Sequence, residues 1–263
     1  MQIGFGSGIF WGTPLLDATG TAIANPTPVQ LGVLQDFSLD QSFETKMLYG
    51  QNQFPVAVGR GKGKLSGKAK LAQLSATWIN SLFYGQGSAA GLTADVYDTT
   101  GIAIPATPFT ITANTTGGTA TTIKIPNSGT WSADLGVQNA NGLPLTRVAS
   151  LPTTGQYTVA AGVYVFAAAD TGNIVFINYQ FTAATPTTAK LLTVNSLPMG
   201  YAPVFRADIM IPYQGKYLTA IIPQCIGSKL AIQSKQDDFL VPDFDFEGFA
   251  DASGHAIYWS LSE

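Results

Sequence analysis

The sequence predicts a mainly β protein with one short helix and a small β-domain inserted into a larger one. Short apolar or alternating runs are divided by turn signals, with 28 Gly and 15 Pro in 263 residues, the punctuation of an all-β chain. One segment alone, Ser75–Tyr84, has helical spacing, with Trp78, Ile79, Leu82 and Phe83 on one stripe and Gly85 as its stop. From Thr93 to Thr185 the chain turns poor in charge and rich in Thr, Ala and Gly. That stretch has its own hairpin signals at Asn114–Gly118, Asn127–Gly129, Asn141–Gly142 and Ala169–Asn173. The expected organisation is a discontinuous core domain, residues 1–92 and 186–263, interrupted by residues 93–185.

The first expected strand is Gln30–Leu39. The second, Val56–Gln73, is the most informative: five of the 13 Lys and Arg fall between Arg60 and Lys70, with no carboxylate among them. Successive strand side chains point to opposite faces. Lys62, Lys64, Lys68 and Lys70 therefore share one face, and Leu65, Ala69 and Leu71 the other. The helix follows, and then the insert, with strands expected at Phe109–Ala113, Thr121–Ile125, Tyr157–Phe166 and Ile174–Phe181. Lys190–Val194 reads as a strand because its Thr and Val outweigh a helix start. Val204–Ile211, Leu218–Ile222, Leu230–Gln233 and Phe239–Phe246 complete the set.

The segment DDFLVPDFDFEGFAD is the acidic counterpart of the lysine strand. Asp243, Asp245 and Glu247 alternate with Phe244 and Phe246, so carboxylates and phenyls take opposite faces of a strand. Pairing across strands with Lys62, Lys64, Lys68 and Lys70 is expected, in the same subunit or the next. Each such pair is worth about 0.2–1 kcal/mol, and its larger effect is to set register and reject wrong partners. D-x-D-x-E can ligate calcium, but the interleaved phenyls favour a strand over a calcium loop.

Only 11% of residues are charged, against about 25% in ordinary soluble domains. With 46% hydrophobic residues, the chain is expected to bury surface against copies of itself. The net charge of −3 dictates no partner, and one cysteine, Cys225, excludes an intramolecular disulfide framework. The N-terminus lacks a basic region followed by an unbroken apolar run, so no secretory signal is read. The longest apolar run, Val159–Ala169, is far short of the roughly 18 residues of a membrane helix.

No catalytic constellation, cofactor motif or metal set emerges. His255 is the sole histidine, and no G-x-S-x-G element surrounds a serine. Cys225 lies in an apolar run without a basic neighbour, the setting of an inert thiol. Gly4–Gly8 and Gly61–Lys64 lack the rest of a phosphate loop. A lysine row can neutralise phosphates, but no motif for sequence-specific nucleic-acid recognition is present. The segment Leu48–Gly61, with Leu48, Tyr49, Gln51, Phe54 and Pro55, reads either as an arm with aromatic anchors for a neighbouring subunit or as an ordinary hairpin loop.

The stretch LYGQNQFPVAVGRGKGKLSGKAKLAQLSATWINSLFYG resembles a segment of bacteriophage major tail (tail tube) proteins: a G-Q-x-x-F-P arm, a G-K-x-x-G-K-A strand and a short helix ending in F-Y-G. SKLAIQSKQDDFLVPDFDFEGFADASG and GQYTVAAGVYVFAAADTGNIVFINY resemble further parts of phage structural proteins, and together the segments cover about half of the chain. The resemblance implies a β-sandwich or barrel-like core with one flanking helix, and a hexameric ring that stacks into a tube through which double-stranded DNA passes without specific binding. It implies that the Leu48–Gly61 arm touches a neighbouring subunit or ring, that some strands line the lumen, and that the inserted domain stands outside. Other tail proteins would be partners, no membrane would be involved, and the protein would be made in the bacterial cytoplasm and reside in the virion. A head decoration or tail-completion protein, or a secreted surface- or carbohydrate-binding β-protein, are the other readings.

Overall fold

The computed structural model describes residues 6–106, 110–114, 122–183 and 189–262. Gly4, Phe109, most of the Asn114–Gly118 signal, Thr121 and the expected domain limit at 185–186 lie outside the described residues. The chain is mainly β, with one short helix, and it folds as two compact units, Met1–Ser88 with Leu192–Glu263, and Ala89–Leu191. No described helix is long and apolar enough to cross a membrane.

The first unit is an eight-stranded antiparallel sheet. Its strands are β1 (Ile9–Leu16), β2 (Val29–Gln30), β3 (Leu34–Tyr49), β4 (Pro55–Leu71), β5 (Val204–Tyr213), β6 (Lys216–Ala231), β7 (Asp243–Phe249) and β8 (Tyr258–Leu261). The order is β2-β1-β5-β6-β7-β4-β3, with β8 beside β6. The sheet is strongly curved. Phe10 of β1, one strand in from one end of the order, and Phe37 of β3, at the other end, have ring centroids only 6.0 Å apart. Ser7, before β1, donates its hydroxyl to the Leu34 carbonyl of β3.

The core lies inside that curve. Phe10, Leu65, Ala69, Leu71, Phe205, Ile209, Ile222, Phe244 and Phe246 are all buried there. The helix closes it. Ala76–Ile79 is α-helical (α1), and Asn80–Tyr84 widens into one π turn. Ser75 caps the start by accepting the Thr77 N–H, and Gly85 ends the turn in the left-handed region at φ 60°. Glycine lets this element sit against the sheet: a Cβ at Gly12 would stand 2.4 Å from Leu82, and one at Gly227 2.7 Å from Phe83.

Two expected strands, Leu218–Ile222 and Leu230–Gln233, are one continuous strand, β6. Pro223 interrupts the apolar pattern without ending the strand, because it falls at a register shift against β5 and in the gap between the β8 and β7 pairings. A residue without an N–H is tolerated where no ladder bond is required.

The second unit has two sheets around its own core. Thr130–Asn139, Ile174–Thr182 and Thr93–Val96 form one, with Ile102–Ala103 beside the second strand. Thr146–Arg147, Gln156–Ala160, Val163–Phe166, Thr110–Asn114 and Thr122–Lys124 form the other. Ile111, Val137, Tyr157, Tyr164, Phe166, Val175, Ile177, Tyr179 and Phe181 fill the interior. The expected strand Tyr157–Phe166 is a hairpin, turning at Ala161 and Gly162, both with positive φ. Such primed turns match the strand twist. The strands Ser88–Ala90 and Lys190–Leu192 pair where the chain enters and leaves this unit.

Candidate assembly surface

β4 and β7 are hydrogen-bonded neighbours, and their register places unlike charges opposite each other. Lys70 faces Asp243, and Lys68 faces Asp245. On its other side, Asp245 faces Lys229 of β6, and Lys70 faces Asp36 of β3. Lys64 Nζ lies 3.3 Å from Glu247 Oε1, and Lys70 Nζ lies 3.9 Å from Asp36 Oδ2. Three lysines (Lys68, Lys70, Lys229) and three aspartates (Asp36, Asp243, Asp245) thus line one hollow of about 300 Å³. The alternation follows from the pleat: Phe244 and Phe246 point to the opposite face and are fully buried. Pairing with lysines leaves the carboxylates charge-balanced, and among the described residues no group of three or more His, Cys, Asp or Glu is arranged to hold a metal ion.

The structure thus brings Lys64, Lys68, Lys70, Asp243, Asp245 and Glu247 together within one chain. Lys62 stands apart. It falls where the β3–β4 register slips between Phe43/Gly63 and Thr45/Arg60, on the exposed outer part of the hairpin.

Leu48, Tyr49, Gln51, Phe54 and Pro55 lie at the far end of the β3–β4 hairpin, with residues 50–54 as its loop. The segment Leu48–Gly61 is thus the tip of a long hairpin, with β3 running unbroken for 16 residues to Tyr49. Beyond Leu65 both strands are exposed on both faces, and β3, the last strand of the sheet, leaves its outer edge unpaired among the described residues. At about 3.3 Å per residue, ten residues of such a ribbon reach about 30 Å. Its two faces differ. Phe43, Met47 and Val58 continue the face that half-buries Leu39 and buries Leu65 nearer the base, and all three are exposed. Arg60 lies 4.5 Å above the Phe43 ring, and the Tyr49 hydroxyl meets the Met47 sulfur at 3.3 Å.

The other polar candidates have local partners. Asp251 Oδ1 accepts the N–H groups of Ser253 and His255, with His255 Nδ1 3.6 Å away, so these residues fasten a turn. The backbone N–H donors hold the Asp251 carboxyl below the ordinary range. Cys225 is fully buried, and that burial pushes its thiol well above its usual value. Gly8 packs against the Met210 carbonyl, where a Cβ would come within 2.5 Å.

Two polar groups in the second unit were not read from sequence. Asp134, with a side chain only 4% exposed, accepts the hydroxyls of Tyr157 at 2.7 Å and Tyr164 at 3.0 Å, with Arg147 at 3.8 Å. Nothing in the local pattern around Asp134 signals partners so distant in sequence. Asp98 fastens the turn before Ile102 by accepting the N–H groups of Thr100 and Gly101. Its D-x-T-G spelling is a readable Asx-turn signal.

No family model matches the chain, and no curated protein matches it.

Proposed function

We propose that this protein is a non-enzymatic structural subunit of a bacteriophage tail tube, which self-associates into stacked hexameric rings and builds the conduit for the genome. The observation that carries this reading is the β3–β4 ribbon: about ten residues per strand stand clear of the core, with an apolar stripe and an unpaired edge. An isolated two-stranded ribbon is marginal in water, and a long unpaired edge invites another strand. Docking on the next copy satisfies both, in a head-to-tail contact that closes into a ring.

The charge pattern suits a conduit. Lys68, Lys70 and Lys229 are balanced by Asp36, Asp243 and Asp245 within the same chain. A row of bare lysines would grip phosphates, whereas a balanced face lets duplex DNA pass. The curved antiparallel sheet with one helix closing its core is compatible with the sandwich- or barrel-like core of that family. Residues 89–191 would stand on the outside of the tube, where they leave the passage clear. The chain would be made in the host cytoplasm, join other tail proteins and reside in the virion.

Electron microscopy of the wild-type protein beside a variant with residues 44–60 replaced by a tight turn tests the reading. Rings or tubes from the wild type and folded monomers from the shortened chain are expected. Equal assembly by both would refute the role of the ribbon.

A further inference from the structure

The ribbon needs an unlike surface on the next copy, because a head-to-tail contact joins two different patches. Its outer part is cationic as well as apolar. Lys46, Arg60 and Lys62 are exposed there and outnumber the one carboxylate, Glu44. None of these three cations forms a salt bridge among the described residues. At the tip, Phe54 is exposed over 81% of its surface.

The complement lies at the opposite end of the same strand. β4 runs from the tip at Pro55 to the base at Leu71. There the Leu71 N–H donates to the Pro242 carbonyl, and Lys70 faces Asp243. The loop between β6 and β7, residues 232–242, therefore sits about 50 Å along the strand from the tip. Residues 232–240 of this loop are all exposed. A backbone bridge between Lys235 and Asp238 folds Gln236 and Asp237 into a tight turn, and Asp238 Oδ1 accepts the Phe239 N–H at 2.8 Å. Asp237 and Asp238 outnumber Lys235 and form no salt bridge among the described residues. Phe239 is 92% exposed, and Ile232 and Leu240 are exposed beside it in the chain. Together with Gln233, Lys235, Asp238 and Val241, Phe239 lines an open hollow of about 310 Å³.

We propose that the ribbon tip of one copy docks on the 232–241 loop of the next, with Lys46, Arg60 and Lys62 meeting Asp237 and Asp238, and Phe54 packing against Phe239. The proposal rests on the ribbon being an assembly element and names the surface that receives it. Charge selects this loop over the other exposed apolar patches of the first unit. Met199 stands beside the Thr19–Gly20 turn, where the Asp17 carboxylate already accepts the N–H groups of Thr19 and Thr21. Trp259 and Leu261 lie on β8, which carries no charge. Unlike charges around an apolar contact set its register and speed its formation, whereas like charges there reject it. Because the two patches lie at opposite ends of β4, each copy offers one to either neighbour and the contact repeats.

The test is disulfide trapping between full-length chains. Cys225 is fully buried, so an added thiol is the only accessible one. A chain with Gln53→Cys is mixed with a chain carrying Gln236→Cys, both at exposed positions, under mild oxidation. A linked dimer with one chain of each kind is expected, in excess over dimers of either chain alone. Arg60→Glu with Lys62→Glu in the first chain should reduce the yield at least about tenfold, and Asp237→Lys with Asp238→Lys in the second should restore it. Wild-type assembly is followed in parallel by sedimentation. Assembly without the mixed dimer, or a mixed dimer indifferent to charge reversal, would overturn this docking and leave the ribbon to act through another surface. Absence of both assembly and the mixed dimer would overturn the docking and the assembly reading together.

Discussion

Gly67 of β4 lies directly opposite Phe246 of β7, and the phenyl ring fills the space that a side chain at position 67 would need: a Cβ there would stand 2.2 Å from Phe246 Cζ. The ring is fully buried and lies 5.4 Å from Phe10 and 6.0 Å from Phe244, centroid to centroid. The glycine in the lysine strand is therefore a packing residue, placed where the aromatic core crosses the sheet.

Gly67→Ala should destabilise the first unit by about 1–3 kcal/mol, the usual cost of forcing an extra carbon into a packed core. Urea unfolding of the variant reads this as a lower midpoint with an unchanged slope. Shrinking the ring, in Gly67→Ala with Phe246→Leu, should recover part of the loss. An unchanged midpoint in Gly67→Ala would contradict this packing.

Reversing charge on the lysine face should leave the fold intact. Lys64 and Glu247 pair with side chains 63% and 49% exposed, and exposed pairs contribute about 0–1 kcal/mol. Lys64→Glu with Lys68→Glu should shift thermal unfolding only slightly while impairing tube formation, as read by sedimentation. Adding Asp245→Lys and Glu247→Lys should restore assembly. Normal tubes from the lysine variant would refute the role of the charge register.

The second unit should be removable. The Gly91 N–H donates to the Ala189 carbonyl at 3.2 Å, and Ser88–Ala90 pairs with Lys190–Leu192, so the cut ends are already neighbours. Replacing residues 92–188 with an Asn-Gly turn should give a soluble chain with cooperative unfolding that still assembles. An insoluble product would show that the first unit depends on the second.

Acid should weaken the second unit through Asp98. Burial raises its pKa, but the N–H groups of Gly101, Thr100 and Ile177 and the Thr100 hydroxyl together outweigh that effect and bring it below its ordinary value. A carboxyl with a depressed folded pKa adds stability above the unfolded value of about 3.9, and this is lost as pH falls through the folded value. The unfolding temperature of residues 89–191 should therefore drop below about pH 4, and Asp98→Asn should flatten that drop. An identical pH profile in the variant would exclude Asp98 as the cause.

What the sequence made legible was mostly what alternation or a local stop encodes. Asp243, Asp245 and Glu247 against Phe244 and Phe246 spell a strand with one buried face, and that strand is β7. Trp78, Leu82 and Gly85 spell a short helical element and its end. The outer half of β3, from Gln41 to Tyr49, carries no such signal because neither of its faces is buried, and burial on one face is what imposes period two. β1 was missed, since Gly12 and Pro14 break its apolar run. The Lys68–Asp245 register joins segments far apart in the chain. Charge complementarity suggested that pairing, while only the folded sheet specifies which residue faces which. Asp134 has no local cue, as its partners arrive through tertiary packing.

The central claim is that the exposed β3–β4 ribbon joins one copy of this chain to the next. The most direct measurement is negative-stain electron microscopy of the concentrated wild-type protein. Stacked rings or hollow tubes with a common rotational symmetry are the predicted result. A uniform field of monomers at every concentration would contradict it.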